Sequence, residues 1–384
     1  MRHVAPVGVL LAANVLLGVP AHAGGEAVAG TAHADNGAHA DNGPIGGTAL
    51  GGRGVVAPSG MKAPPKTSAK AYVIADAETG DVLAAKDPHG RYLPASTLKT
   101  LTALTLIPKL DKKMKVRPSS RAVNEEGSAV GLVSKPLYTV DDLFRALMLV
   151  SGNDCAMALA EANGGLAKTL RDMNAEAKRL QAYDTVAKTP SGLDKPGQSS
   201  SAYDLALIAR AGLANSDFQR YTSTRTGRFP APKGYYEIGN HNKLLWRYKG
   251  MIGVKNGWTS KALGSFVGAA KRNGHTVIVV IMRHEGYFWE EVAGLLDWGF
   301  AARGRVVPVG KLVDPLPEAA PTPTGQAAPP APPPAAAPRA AENTRDGKQG
   351  PPVVLYVLGA GLLGGVAWLV YGLRRRSREA ASDS

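Results

Sequence analysis

The 384-residue chain contains a single cysteine, Cys155, so no disulfide can form within it and core packing must supply its stability. Aromatic residues make up only 6%, against 44% hydrophobic residues overall, which is enough for one good-sized core but not for the whole length. Acidic residues are also short, with 31 Asp and Glu against 45 Lys and Arg, giving a formal net charge of +14. Such a chain suits a neighbourhood of anionic polymers, although charge alone identifies no partner. His89, His241, His275 and His284 show no metal-ligand spacing. No metal, no other cofactor and no nucleic-acid partner is therefore expected. Cys155 reads as a small packing residue rather than a redox centre.

What the chain does have begins at its ends. Residues 1–23 combine Arg2 and His3, a short apolar run and an A-H-A step before Gly24, the pattern of a cleaved signal peptide. Residues 353–373 carry no charge over a length that spans a bilayer, and Arg374, Arg375, Arg376 and Arg378 follow in the 374–384 tail. Together they predict a single-pass membrane protein with residues 24–352 on the extracytoplasmic face. The segment 24–65 is rich in Gly, Ala and Pro and repeats A-H-A-D-N-G, which predicts a disordered linker. Residues 314–352 read as a Pro/Ala spacer.

Residues 66–313 remain as one domain. Two strand-like runs, A-Y-V-I-A-D and D-V-L-A-A-K, flank Glu78-Thr79-Gly80 as a hairpin. Helical spacing of apolar residues follows over 97–108, 140–150, 154–163, 166–180 and 202–213. A second hairpin, Gly264–Lys271 and His275–Met282, turns at Arg272-Asn273-Gly274, and a closing helix is expected over Trp289–Phe300. The predicted class is mixed α/β (α+β): an antiparallel sheet packed by helices, with a helical subdomain.

Ser96 and Lys99 stand three residues apart in P-A-S-T-L-K at a predicted helix start, so they share one face, and Ser96 sits at the positive end of the helix dipole. A lysine there can take the serine proton if desolvation or a nearby cation keeps it neutral. The pattern S-x-x-K is weak alone, because Ser59 and Lys62 match it inside the linker. Downstream, Ser151-Gly152-Asn153 follows a helix, and Lys255-Asn256-Gly257 lies in G-V-K-N-G-W-T just before the second hairpin. Each has an ordinary alternative, a helix cap and a surface turn. All three in the order S-x-x-K, S-x-N, K-x-G make a much stronger signal.

With these motifs, and with E-G-S-A-V-G-L (126–132), P-S-G-L-D (190–194), N-K-L-L (242–245) and L-L-D-W-G-F (295–300), the chain resembles the serine D-alanyl-D-alanine carboxypeptidases, low-molecular-mass penicillin-binding proteins of peptidase family S11. The resemblance implies a β-lactamase/transpeptidase-like fold and an acyl-enzyme on Ser96 with Lys99 as base. It also implies proton relay by Ser151 and positioning by Asn153. The backbone N–H groups of Ser96 and Trp258 would form an oxyanion hole, and Lys255, Asn256, Gly257, Trp258 and Thr259 would contact substrate. Peptidoglycan stem peptides are the implied substrate and β-lactams the covalent inhibitors. A β-lactamase, a D,D-endopeptidase or a wall-binding protein that kept the fold are the alternatives. The third motif usually reads K-T-G, so Asn256 replaces a threonine that binds the substrate carboxylate, and Arg283 is the arginine available to assist.

Overall fold

In the computed structural model, which describes residues 43–317, the strands are β1 (Val55–Val56), β2 (Ala71–Asp76), β3 (Asp81–Lys86), β4 (Lys115–Val116), β5 (Tyr138–Thr139), β6 (Thr226–Pro230), β7 (Tyr235–Gly239), β8 (Met251–Thr259), β9 (Leu263–Arg272), β10 (His275–His284) and β11 (Gly310–Lys311). The helices are α1 (Lys99–Leu106), α2 (Ser120–Val123), α3 (Val140–Leu149), α4 (Asn153–Ala162), α5 (Leu166–Arg179), α6 (Ala202–Leu213), α7 (Ser216–Ser223), α8 (Leu244–Arg247) and α9 (Trp289–Ala302).

Both expected hairpins form. Asp76 closes the first by accepting the Glu78 and Thr79 N–H groups at 2.9 and 3.0 Å. Asn273 and Gly274 close the second with φ of 51° and 82°, the left-handed pair that a two-residue hairpin turn requires. They join one antiparallel sheet of order β1-β3-β2-β10-β9-β8, with β11 also on β3. The central strands read as unbroken apolar runs because both faces are covered. Ile74, Val277 and Val279 pack under Val292, Leu295 and Leu296 of α9. On the other face Val73, Ala75, Ile278 and Val280 meet Leu98, Leu101, Leu205 and Ile208 of the helical layer. Each fully buried Leu or Ile of this kind contributes about 1.5–3 kcal/mol.

Local caps set the helix starts that matter for the site. Thr139 and Asp142 form a reciprocal capping box on α3, whose end delivers Ser151. Ser201 caps α6 by accepting the Asp204 N–H at 3.1 Å.

The sequence reading departs from the structure in two places. Residues 44–65, expected as disordered linker, belong to the folded domain: Leu50 is fully buried, β1 pairs with β3, and Trp298 Nε1 donates to the Lys62 carbonyl at 2.7 Å. Low apolar content concealed them, since a few side chains and backbone hydrogen bonds hold the segment down. Lys255-Asn256-Gly257, for which a surface turn was the ordinary alternative, lies within the edge strand β8, which immediately precedes the β9–β10 hairpin. The β6–β7 hairpin, α7 and α8 were not foreseen. The expected signal peptide (1–23), most of the repeat, the membrane helix (353–373) and the tail (374–384) lie outside the described residues. Among the described residues no helix is long and apolar enough to cross a membrane.

Candidate active site

Ser96 sits in a 3-10 turn, Ala95–Leu98, that feeds directly into α1. Leu98 and Leu101 are fully buried and fix this element between the sheet and the helices. Ser96 is half-buried, whereas Lys99 is completely enclosed. Lys99 Nζ lies 3.0 Å from Ser96 Oγ, 2.7 Å from Asn153 Oδ1 and 2.6 Å from the Ser191 carbonyl. The orientation of the Asn153 amide is set by its Nδ2, which donates to the Glu126 carbonyl at 2.6 Å. Two of the three neighbours of the amine can therefore only accept hydrogen bonds. A neutral amine gives its two N–H groups to them and turns its lone pair on the Ser96 hydroxyl. The arrangement is that of a general base aimed at a nucleophile.

Ser151 and Asn153 arrive from the α3–α4 junction. Ser151, two residues before Asn153, has left-handed backbone with φ of 63°, and Ala95, beside the nucleophile, has φ of 49°. Such conformations cost about 1–3 kcal/mol each and persist where packing over-determines them. Ser151 Oγ is buried without a hydrogen-bond partner in the protein. Its neighbour Asp154 accepts the N–H groups of Val130, Gly131 and Leu132 at 3.1, 2.9 and 3.1 Å, pinning the loop that carries Glu126 and Gly127 over the site.

Strand β8 forms the opposite wall. Lys255 is buried and donates to the Asn256 carbonyl at 2.7 Å. Gly257 runs against the nucleophile turn so closely that a Cβ there would stand 2.6 Å from the Ser96 nitrogen. Trp258 is 67% exposed beside it. Thr259, expected to meet substrate, has its hydroxyl engaged: it donates to Asp194 Oδ1 at 3.0 Å and accepts the Ala262 N–H at 2.9 Å. Asp194 thus clips β8 to the 190–194 loop whose Ser191 carbonyl holds Lys99. Gly192 in that loop has φ of 84°, and a Cβ there would fall 1.9 Å from the Ala95 carbonyl oxygen. Arg283 donates to the Lys261 carbonyl at 3.1 Å, in the turn after Thr259.

Electrostatics favour the base role. Burial first, and then the nearby Lys255 ammonium, hold the Lys99 amine well below the usual lysine range. Burial alone brings Lys255 down to about 7. A lysine whose pKa is lowered by folding is a penalty that is full below the folded value and relieved as pH rises to the unfolded one. Stability should therefore increase from about pH 7.5 to about pH 9, with Lys255 contributing up to about 2 kcal/mol. Asp204, pushed up to about 7 by burial, acts mainly below that window. Urea unfolding at the two pH values measures the slope, and Lys255→Met should flatten it. An equal slope in that variant would contradict the assignment.

The structure brings Ser96, Lys99, Ser151, Asn153, Lys255 and Gly257 together. The look-alike pair does not join them: Ser59 and Lys62 are exposed, and the Lys62 carbonyl packs under Trp298 of α9. His89 bridges Asp184 and the Ile45 carbonyl at 3.1 and 3.0 Å, and His284 meets Glu291 at 2.9 Å. Cys155 is buried, and its thiol is pushed well up by burial and by Asp154, which fits a packing role. Among the described residues no cluster of His, Cys, Asp or Glu could hold a metal ion. A cavity of about 290 Å³ lined by Ala77, Leu180, Leu207 and Arg210 shares no residue with the cluster. Sequence reasoning missed the roles of Ser191, Gly192, Asp194 and Asp154, although the segment 190–194 is part of the family resemblance and Asp154 directly follows the S-x-N motif.

A half-buried serine, a buried lysine whose pKa is held down and a second serine nearby in sequence to Asn153, on an antiparallel sheet with a helical layer, fit a serine acyl-enzyme hydrolase of the Ser/Lys type. The sequence profile of the D-alanyl-D-alanine carboxypeptidases, peptidase family S11, matches residues 59–286, and the chain belongs to this family. D-alanyl-D-alanine carboxypeptidase DacB2 of Mycobacterium tuberculosis is 41% identical over 253 residues, 64% of this chain and 87% of that protein. DacF of Bacillus subtilis is 34% identical over 221 residues, 56% of this chain and 57% of that protein. A crystal structure of a D-alanyl-D-alanine carboxypeptidase from Mycobacterium tuberculosis superposes with a TM-score of 0.64 at 40% identity, covering 67% of this chain and 99% of the other. That of the Streptomyces K15 DD-transpeptidase gives 0.59 at 27% identity, covering 62% and 100%.

Proposed function

We propose that the chain is a serine-type D-Ala-D-Ala carboxypeptidase that removes the terminal D-alanine from peptidoglycan stem peptides. The observation that carries this reading is the Lys99 amine, held well below the usual lysine pKa range by burial and 3.0 Å from Ser96 Oγ. In the reaction Ser96 Oγ bonds to the carbonyl carbon between the two D-alanines while its proton passes to Lys99 Nζ. The tetrahedral oxyanion rests on the Ser96 and Trp258 N–H groups, each such donor being worth about 3 kcal/mol. The C–N bond then breaks, and the leaving amine takes a proton through Ser151. Water attacks the resulting ester with Lys99 again as base, restoring the Ser96 hydroxyl. Lys255 faces the carboxylate of the substrate, with Asn256 beside it in place of the usual threonine. A β-lactam acylates Ser96 by the same steps and leaves slowly.

The apolar stretch 353–373 with its arginine tail, and the leader-like residues 1–23, support a single-pass protein of the cell membrane whose catalytic domain faces the wall. Release of free D-alanine from a soluble peptide ending in D-Ala-D-Ala tests the activity. Folded protein that binds a fluorescent penicillin but releases no D-alanine would overturn the carboxypeptidase reading.

A further inference from the structure

Beside the catalytic cleft the surface carries an unusual set of side chains. Trp246 and Tyr287 are 53% and 57% exposed, large apolar rings left in solvent. Cations hold both: Arg225 stands 5.7 Å from the Trp246 ring centroid, and Lys243 and Arg247 stand 5.2 and 5.9 Å from that of Tyr287. Arg247 also donates to the Tyr287 hydroxyl at 3.2 Å. The platform is fixed from below, since Leu244 and Leu245 of α8 are buried in the α9-side core with Phe288 and Trp289. Lys243, Trp246 and Arg247 therefore face outward as a set. Glu290, paired with Arg247 at 3.0 Å, is the acidic group in contact with these cations. The same segment begins at the cleft: the His241 N–H donates to the Leu149 carbonyl, two residues before Ser151, at 2.9 Å, and Lys255 lowers the His241 pKa after burial does.

We infer that the surface formed by Arg225, Lys243, Trp246, Arg247 and Tyr287 binds the amino-sugar polymer that carries the stem peptide. The inference rests on the carboxypeptidase reading for its choice of polymer. Sugar rings present flat C–H faces that suit Trp and Tyr, and the carboxylates of a wall polymer suit Arg and Lys. Charge complementarity is one-sided, three cations against a single glutamate, on a chain of net charge +14. A nucleic acid would answer the charge, but it carries no peptide for a Ser/Lys cleft to cleave. A scissile peptide tethered to a polymer held at this surface would have a raised effective concentration at Ser96. The surface then selects polymeric over free peptide substrate without touching the reacting atoms.

The test uses the full chain in detergent and a Trp246→Ala/Arg225→Ala/Arg247→Ala variant. Purified peptidoglycan sacculi should sediment the wild type, with affinity falling by about tenfold or more in the variant. Penicillin labelling of Ser96 and D-alanine release from a short soluble peptide should be unchanged, which shows that the variant folds. Release from sacculi should fall with the affinity. Equal sedimentation of variant and wild type overturns the inference. So does competition by polyphosphate that persists when Trp246 alone is replaced by alanine, because charge would then account for binding without sugar contact. If the wild type releases no D-alanine from the short peptide, the carboxypeptidase reading falls, while sacculus binding still reports on the surface separately.

Discussion

Lys99→Met should slow acylation of Ser96 by fluorescent penicillin by about a thousandfold, within the range general-base removal produces. Methionine keeps the apolar stem and packing of the lysine while deleting the amine that is hydrogen-bonded to Ser96 Oγ. Asn153 Oδ1 and the Ser191 carbonyl each lose a donor, at about 1–3 kcal/mol apiece, and removal of an amine that is costly to bury offsets part of that. Stability should therefore change little compared with the loss of rate. Stopped-flow labelling with a parallel thermal melt separates the two effects, and Ser96→Ala gives the zero level. Acylation within about tenfold of wild type in Lys99→Met would remove lysine from the role of base.

Gly257→Ala should cost about a hundredfold in the same acylation rate, although it adds only one methyl group. The added Cβ would stand 2.6 Å from the Ser96 nitrogen, 2.9 Å from the Thr97 nitrogen and 3.1 Å from Ala95 Cβ. Two of these are backbone atoms and cannot swing aside, so β8 must retreat from the nucleophile turn. The proposed oxyanion donors, the Ser96 and Trp258 N–H groups, sit on the two sides of that gap. A shift of a few tenths of an ångström would spoil their convergence while leaving the sheet intact. Gly52→Ala, where nothing lies within 4 Å, is the matched control and should acylate normally. An unimpaired Gly257→Ala enzyme would show that close approach of β8 is not what builds the site.

Side chains that act through their chemistry were legible in the sequence, and backbone groups were not. Ser96, Lys99, Ser151, Asn153 and Lys255 each belong to a short pattern, and the order of the patterns singled them out before any contact was known. Ser191 contributes only a carbonyl, which every residue possesses, so no residue type announces it. Gly192 shows the same limit from the other side, since its need for φ of 84° appears only once Ala95 is seen against it. Lys255-Asn256-Gly257 looked like a turn because these residues favour turns, yet the β8–β9 pairing overrides local preference. Both hairpins and the long helices were legible from periodicity. The segment 44–65 was not, because its hold on the domain comes from scattered contacts and not from a repeating pattern.

The entry and exit of the folded domain lie side by side: the Lys311 N–H donates to the Gly46 carbonyl at 2.8 Å, and β1 and β11 both pair with β3. Strand β8, which carries Lys255 and Gly257, is at the opposite margin of the sheet, four strand spacings or about 19 Å from β3. Any force or anchor applied through the two ends of the chain is thus received at one rim of the sheet, and the load closes across the hydrogen bond between Gly46 and Lys311 without passing through Ser96. The rim that carries Lys255 and Gly257 therefore lies off the path along which such a load would travel.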